Sequence, residues 1–355
     1  MTLQDLGYSA YFEKLRIDNH LEDFEIGRVI AEHKERYIVK TEEGEFEAQI
    51  TGNMRFSAES REDFPAVGDW VSLIHHETDF VIIHSILPRF SILSRQAVNA
   101  YGEVQIIATN IDYGLIVQSV NRDFNMNRLE RYLTLCHTSK IEPIIVITKT
   151  DLIDEQKLND LLDKIKDRVE NIPMVYVSNE TMAGMENLKK LLHYGKTYCL
   201  LGSSGVGKSS LINSLVGENQ MKTATISESI DRGKHVTTHR ELIPMVNGAV
   251  LIDNPGMREV GITDSSDGLE NTFERIYDLA RDCRFSDCTH TSEKGCAVKL
   301  ALEDGQIETS YFENYLKMER EKAHFESTVA EKRRKDKDFG KMIKHFKKAR
   351  KSNKY

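Results

Sequence analysis

Residues 196–210 read KTYCLLGSSGVGKSS, and SLINSLVG continues over 210–217. An apolar strand, a glycine-rich turn and a helix-compatible run follow one another without a break. The turn fits G-x-x-x-x-G-K-[ST], in which glycines let backbone N–H groups close around phosphate oxygens at the positive end of the next helix. Gly202, Ser203, Ser204, Gly205, Val206 and Gly207 form the cradle, and Ser210 follows it. Lys208 is placed to neutralise the β- and γ-phosphates, and the Ser209 hydroxyl to ligate Mg²⁺. The stretch therefore predicts a parallel α/β sheet with a nucleoside triphosphate at one strand end.

A second stretch lies upstream. ITKTD (147–151) ends the apolar strand PIIVIT (143–148). Asp151 can accept two hydrogen bonds from the N1–H and N2 amino group of guanine, a pairing adenine lacks, while the Lys149 stem lies over the base and Thr148 and Thr150 complete the loop. A buried reader of this kind rejects the wrong base because its acceptors are left unpaired. VSNETMAG (177–184) ends another strand, where the Ser178 and Asn179 backbone can approach guanine O6. Downstream, LIDNPG (251–256) ends a further apolar strand in D-x-P-G. Asp253 is placed to hold Mg²⁺ through water, and the Gly256 amide to meet the γ-phosphate.

The order is base reader, second base loop, phosphate loop, D-x-P-G. That is the usual order of a guanine-nucleotide domain, rotated. A doubly wound sheet can be cut and rejoined without moving its strand ends, since termini commonly lie close together. The domain reads as circularly permuted, which leaves the nucleotide-sensing D-x-P-G loop leading straight into whatever follows it.

Around these motifs the period of the chain changes twice. From about 103, YGLIVQSV (113–120), NRLERYLTLCHTS (127–139), EQKLNDLLDKIKDRV (155–169), PMVYVS (173–178) and MENLKKLLH (185–193) alternate strand and helix. Such alternation predicts a parallel sheet covered on both faces, with functional loops at the carboxyl ends of its strands. Before it, FEIGRVI (24–30), RYIVKT (36–41), EFEAQIT (45–51), DWVSLI (69–74) and DFVIIHSIL (79–87) read as five short strands. They fit a small OB-type β-barrel, and a generic or SH3-like barrel fits the same pattern. After it, 269–283 and 310–327 suit amphipathic helices. The expected domains are a barrel over 1–95, a GTPase domain over 96–268 and a helical zinc domain with a basic tail over 269–355.

Cys283, Cys288, His290 and Cys296 fall within fourteen residues. Three thiolates and an imidazole satisfy a tetrahedral structural Zn²⁺ with no open position for water. Cys136 and Cys199 fall in a helix and a strand and read as core. Of 355 residues 40% are hydrophobic and 29% charged, and no apolar run reaches the roughly 20 residues of a membrane span. The N-terminus lacks the apolar segment of a signal peptide, so a cytoplasmic protein without membrane contact is expected. The net charge of −8 divides unevenly: residues 331–355 carry +9, leaving −17 on the rest. A basic end on an acidic body suggests a nucleic-acid-reading tail.

Together these residues resemble the circularly permuted GTPases of the ribosome small-subunit-dependent GTPase A family. The resemblance implies a GTP hydrolase that uses Mg²⁺ and one structural zinc. It also implies binding to the small ribosomal subunit and its rRNA, with GTP hydrolysis driving late maturation of that subunit and the enzyme's own release; a monomer is expected. DRGKHVTTHRELIP (231–244) is similar to the family's switch I, which gives Thr237 or Thr238 the Mg²⁺ and γ-phosphate contact. Thr148 stands where the family usually has Asn, which implies a looser tie between base loop and phosphate loop. Met257 follows D-x-P-G where many GTPases have a water-orienting Gln, so slow intrinsic turnover is expected and His235 is a candidate replacement. Two other readings stay open: a GTP-gated RNA-binding module with negligible turnover, and a P-loop ATPase or small-molecule kinase.

Overall fold

The computed structural model describes residues 1–33, 36–96, 104–121, 123–169, 171–216, 241–253, 266–327 and 334. A helix, α1 (Ala10–Asp18), precedes strands β1 (Glu25–His33), β2 (Arg36–Lys40) and β3 (Glu45–Ile50). The short helix α2 (Gly52–Ser57) separates these from β4 (Trp70–Glu77) and β5 (Phe80–Ile86). In β3 every second residue is buried, so Phe46, Ala48 and Ile50 face the barrel core and the intervening polar side chains face water. The ring closes through β1–β2, β2–β3, β3–β5, β5–β4 and β4–β1, and only the β3–β5 pair is parallel. This five-stranded closure is the OB arrangement.

A hairpin of β6 (Ile92–Gln96) and β7 (Val104–Thr109), absent from the sequence expectation, leads into the nucleotide domain. There β8 (Tyr113–Ser119), α3 (Met126–Thr138), β9 (Glu142–Thr148), α4 (Glu155–Lys166) and β10 (Met174–Tyr176) alternate. They are followed by α5 (Met185–Lys190), β11 (Thr197–Leu201), α6 (Lys208–Val216), β12 (Glu241–Pro244) and β13 (Val250–Asp253). The strand order is β10-β9-β8-β11-β13-β12, all parallel except β12. One apolar cluster lies on each face, around Ile145, Ile147 and Cys199 on one side and Val146, Leu200 and Leu251 on the other. Successive residues of β9 thus serve opposite cores, which explains why PIIVIT has no polar interruption.

The sheet does not stop at β12. Glu241 pairs with Ala31 of β1, so barrel and nucleotide domain share one eleven-stranded sheet. Ile30, Val67 and Leu93 belong to the same apolar cluster as Ile145 and Cys199, so the core also crosses position 95.

The C-terminal region holds α7 (Ser266–Thr272), α8 (Glu274–Ala280), α9 (Ala297–Glu303) and a long helix, α10, over 309–327. The single helix expected over 269–283 is broken at Phe273. Its ring is fully buried against Tyr311 and Tyr315, with centroids 5.0 and 5.5 Å away. Packing on α10 thus overrides local helix preference.

Candidate functional site

The phosphate loop leaves β11 beneath the ends of β8 and β9. A Cβ on Gly202 would sit 2.5 Å from the Val117 carbonyl oxygen, so only glycine allows the loop to pass β8 this closely. Gly207 holds φ at +99°, in the left-handed region, and turns the chain into α6. Lys208 Nζ donates to the carbonyls of Gly202 and Ser203 at 2.6 and 2.7 Å, which folds the lysine back over its own loop. Ser204, Gly205, Ser209 and Ser210 face solvent, whereas Val206 is fully buried and pins the loop to the core.

The base loop is clipped onto this cradle from the neighbouring strand. Thr148 is fully buried at the end of β9, and its hydroxyl lies 2.6 Å from the Val206 carbonyl and 3.2 Å from that of Gln118. The tie expected to be looser with Thr in place of Asn is therefore made, by a single short hydroxyl bond. Lys149, at φ +60°, adds a second clip by donating from Nζ to the Gly205 carbonyl at 2.7 Å.

Asp151 follows in a short 3₁₀ turn, Thr150–Leu152, with its side chain exposed to the space over the loop. The Ser178 hydroxyl donates to Asp151 Oδ1 at 2.5 Å and itself accepts from the Thr181 N–H at 3.1 Å. The Ser178 amide is spent on the Ala183 carbonyl at 3.0 Å, so it is not offered to guanine. Ser178 instead holds the Asp151 carboxylate through its side chain, a job the sequence did not suggest. Asn179 lies beside the phosphate loop, its Nδ2 3.4 Å from where a side chain at Gly207 would start. Its Oδ1 is buried and accepts no hydrogen bond among the described residues.

Asp253 closes β13 on the other side of the loop. Burial raises its carboxyl pKa, and the nearby Lys208 ammonium pulls it back down. An acid and a base that sense each other at the mouth of a phosphate loop suit a hydrated Mg²⁺ held between Ser209 and Asp253. His235, Thr237, Thr238, Gly256 and Met257 lie outside the described residues, as does the basic stretch 331–355 except Arg334.

The RsgA GTPase family model matches residues 86–263. A protein named small ribosomal subunit biogenesis GTPase RsgA 2, from Listeria monocytogenes, is 46% identical over 325 residues, covering 91% of this chain and 90% of that protein. The chain belongs to the RsgA GTPase family. Two solved structures agree in fold with this RsgA-family chain. YjeQ from Thermotoga maritima, 28% identical, matches 86% of it and 98% of its own chain with a TM-score of 0.62. YloQ, described as a circularly permuted GTPase and 25% identical, matches 88% and 97% with a TM-score of 0.59. The rotated motif order thus reflects a permuted RsgA-type domain. An ABC transporter model also matches residues 185–347. That match contains the strand–loop–helix that P-loop proteins share, and leaves out the base loop at 147–151 and the barrel.

The RsgA-family chain also assembles the four metal-ligand candidates. Among the described residues, the ligand atoms of Cys283, Cys288, His290 and Cys296 lie within 4.8 Å of one another. Cys283 Sγ is 3.9 Å from Cys296 Sγ and 3.7 Å from His290 Nδ1, and Cys296 Sγ is 3.4 Å from that nitrogen. Two thiolates bound about 2.3 Å from one tetrahedral ion stand about 3.8 Å apart, so the spacing fits a metal. Cys296 also caps α9, its sulfur accepting from the Lys299 N–H at 3.4 Å, which orients one ligand from outside the cluster. Cys136 and Cys199 are fully buried core thiols, as expected; burial raises both pKa values, that of Cys199 to about 12.

Proposed function

We propose that this chain is a Mg²⁺-dependent GTP hydrolase acting in biogenesis of the small ribosomal subunit. We infer further that it binds that subunit and its rRNA and leaves it after hydrolysis, as a cytoplasmic monomer carrying one structural Zn²⁺. The observation that carries the reading is the double clip of Thr148 and Lys149 on the phosphate loop, with Asp151 oriented by Ser178. Base reader and phosphate cradle are thereby held at one separation, which is what recognition of a guanine nucleotide demands. The relatives' printed names supply the subunit, and among the described residues no helix is long and apolar enough to cross a membrane.

In this reading Lys208 and the loop amides hold the phosphates, and Ser209 and Asp253 hold the metal that neutralises them. Asp151, Ser178 and Asn179 select the base. Thr237 or Thr238, as the family resemblance implies, and Gly256 of D-x-P-G complete the γ-phosphate side, with His235 the candidate to orient the water. The working division is barrel over 1–95, GTPase domain over 96–268, and zinc domain with tail over 269–355.

Base choice tests this directly. Asp151→Asn presents an amide to the guanine N1–H and should weaken GTP by about tenfold or more, since a charge-assisted pair is lost. Xanthosine triphosphate, with an oxygen at C2, should gain. Equal GTP affinity in the variant and the parent, read by titration calorimetry, would remove residues 147–151 from the site. Turnover with and without small subunits then separates a hydrolase from a GTP-gated binding module.

A further inference from the structure

Helix α3 has faces that serve different parts of the molecule. Positions 127, 130, 131, 134, 137 and 138 recur at the three- and four-residue spacing of one helical stripe. The C-terminal helices seat on that stripe. Asn314 Nδ2 donates to the Asn127 carbonyl at 3.3 Å and to Glu130 Oε2 at 2.6 Å. Glu321 accepts from both terminal nitrogens of Arg131 at 2.6 and 2.8 Å. A Cβ on Gly268 would meet Thr138 Oγ1 at 2.0 Å, so α7 lies flush on the helix.

Arg128 and Tyr132, one turn apart on the adjoining face, go to the phosphate loop instead. Arg128 Nη1 donates to Ser203 Oγ at 2.8 Å, and the Ser203 hydroxyl also bonds Tyr132. The Asn125 side chain caps the helix by accepting from the Arg128 N–H at 2.9 Å, so the backbone that carries the arginine is itself fixed. The Ser203 carbonyl, meanwhile, accepts from Lys208 Nζ. One loop residue is held by the phosphate-binding lysine through its backbone and by α3 through its side chain. Arg131 and Arg168 each pair with a carboxylate, whereas Arg128 has none among the described residues. Its charge is not cancelled beside a loop built for phosphates.

We propose that Arg128 is a positioning residue for GTP hydrolysis, setting the first turn of the phosphate loop through Ser203 and tying that setting, along α3, to the seated C-terminal helices. The proposal rests on the reading of 202–210 as the phosphate loop of a GTP hydrolase. Affinity for GTP comes from many amides and Lys208, so a small displacement of Ser203 leaves it nearly intact. The in-line geometry of the reacting atoms tolerates far less displacement, so the loss falls on kcat.

Steady-state GTP hydrolysis by the full chain, with Arg128→Met, Ser203→Ala and the double variant, tests this. Arg128→Met should lower kcat by about tenfold or more while KM for GTP moves less than about threefold. Ser203→Ala should lose turnover through the same contact, and the double variant should lose no more than the worse single one. Arg128→Lys, which keeps the charge and one donor, should recover part of the rate. Glu321→Ala, which loosens the seat of α10 on α3, should slow the parent but not Arg128→Met. Unchanged kcat in Arg128→Met, or additive losses in the double variant, would overturn the proposal while leaving the hydrolase reading standing. A parent chain that does not turn over GTP at all would instead defeat the hydrolase reading.

Discussion

On one flank of the nucleotide domain the joint to the neighbouring domain is made of backbone and buried side chains. Strand β12 pairs with β1, and one apolar cluster runs across the joint. The fully buried Arg28 lies over the Trp70 ring and donates to the carbonyls of Leu6, Gly68 and Asn110. Asp69, also fully buried, accepts from Arg89 at 2.8 and 2.6 Å and from Thr109 Oγ1 at 2.6 Å. On the other flank the C-terminal helices sit on α3 through side chains, and its outermost pair is partly exposed. Arg131 and Glu321 are 21% and 33% exposed, a degree at which an ion pair contributes about 0–1 kcal/mol. A joint of the first kind moves only with the whole domain. One of the second kind can be reset by the modest free energies a nucleotide switch supplies.

The largest expected effect tests how far the second joint isolates its domain. Cys288→Ser removes a thiol from the candidate metal cluster, and a structural zinc contributes about 10 kcal/mol or more to folding of small domains. The C-terminal helices should unfold and the metal should be lost. GTP binding should survive, because the loops at 147–151 and 202–208 are held by contacts within the nucleotide domain. Metal analysis and hydrogen exchange over 266–327 would show it, and loss of GTP binding together with the metal would contradict the comparison.

The next effect tests the first joint. Asp69→Ala leaves Arg89, only 10% exposed, without its carboxylate, which costs about 3 kcal/mol. Barrel and nucleotide domain should then unfold earlier but still together, in one transition. If the barrel melted separately while the nucleotide domain kept its original midpoint, the shared sheet would not be a shared folding unit.

The contrast also marks what could be read without coordinates. The strand–loop–helix at 197–216 and the Cys/His cluster were legible because their residue types and spacing along the chain are distinctive. The parallel sheet was legible because β8, β9 and β11 are apolar on both faces. The pairing of Ala31 with Glu241 joins residues 210 positions apart, and no periodicity announces it. Ser178 was expected to offer its backbone, but a turn closed on Ala183 consumes its amide and turns its hydroxyl to Asp151. The hydroxyl of Thr148 replaces the amide usual in the family only because Val206 brings its carbonyl within 2.6 Å. These are facts of long-range packing, and side-chain identity alone does not contain them.

The smallest expected effect concerns the one charged residue of the α3 stripe that is not wet. Glu130 is fully buried, with Arg168 Nη2 2.6 Å from Oε1 and Asn314 Nδ2 2.6 Å from Oε2. Burial raises its pKa from 4.5 to about 7, against Arg168 and Asn314, which pull it down. The folded chain therefore holds a proton on Glu130 between pH 4.5 and about 7, where the unfolded chain does not. Stability from this group is fully present at the acid end of that window and is lost as pH rises through about 7. His137, on the same stripe, has its pKa lowered by burial, so its contribution runs the other way, rising with pH, and offsets part of the trend. Arg168 also faces Glu308, at 3.3 Å. Glu130 should thus hold the seat of α10 on α3 tighter at about pH 6 than at about pH 8, by about 1 kcal/mol before the opposing His137 contribution. Glu130→Gln keeps the shape and the Asn314 contact but carries no titrating proton, so this part of the difference should vanish. Hydrogen exchange of 309–327 at the two pH values, corrected for intrinsic exchange, measures it. The same pH dependence in variant and parent would place the sensitivity elsewhere and leave the side-chain joint without a proton switch.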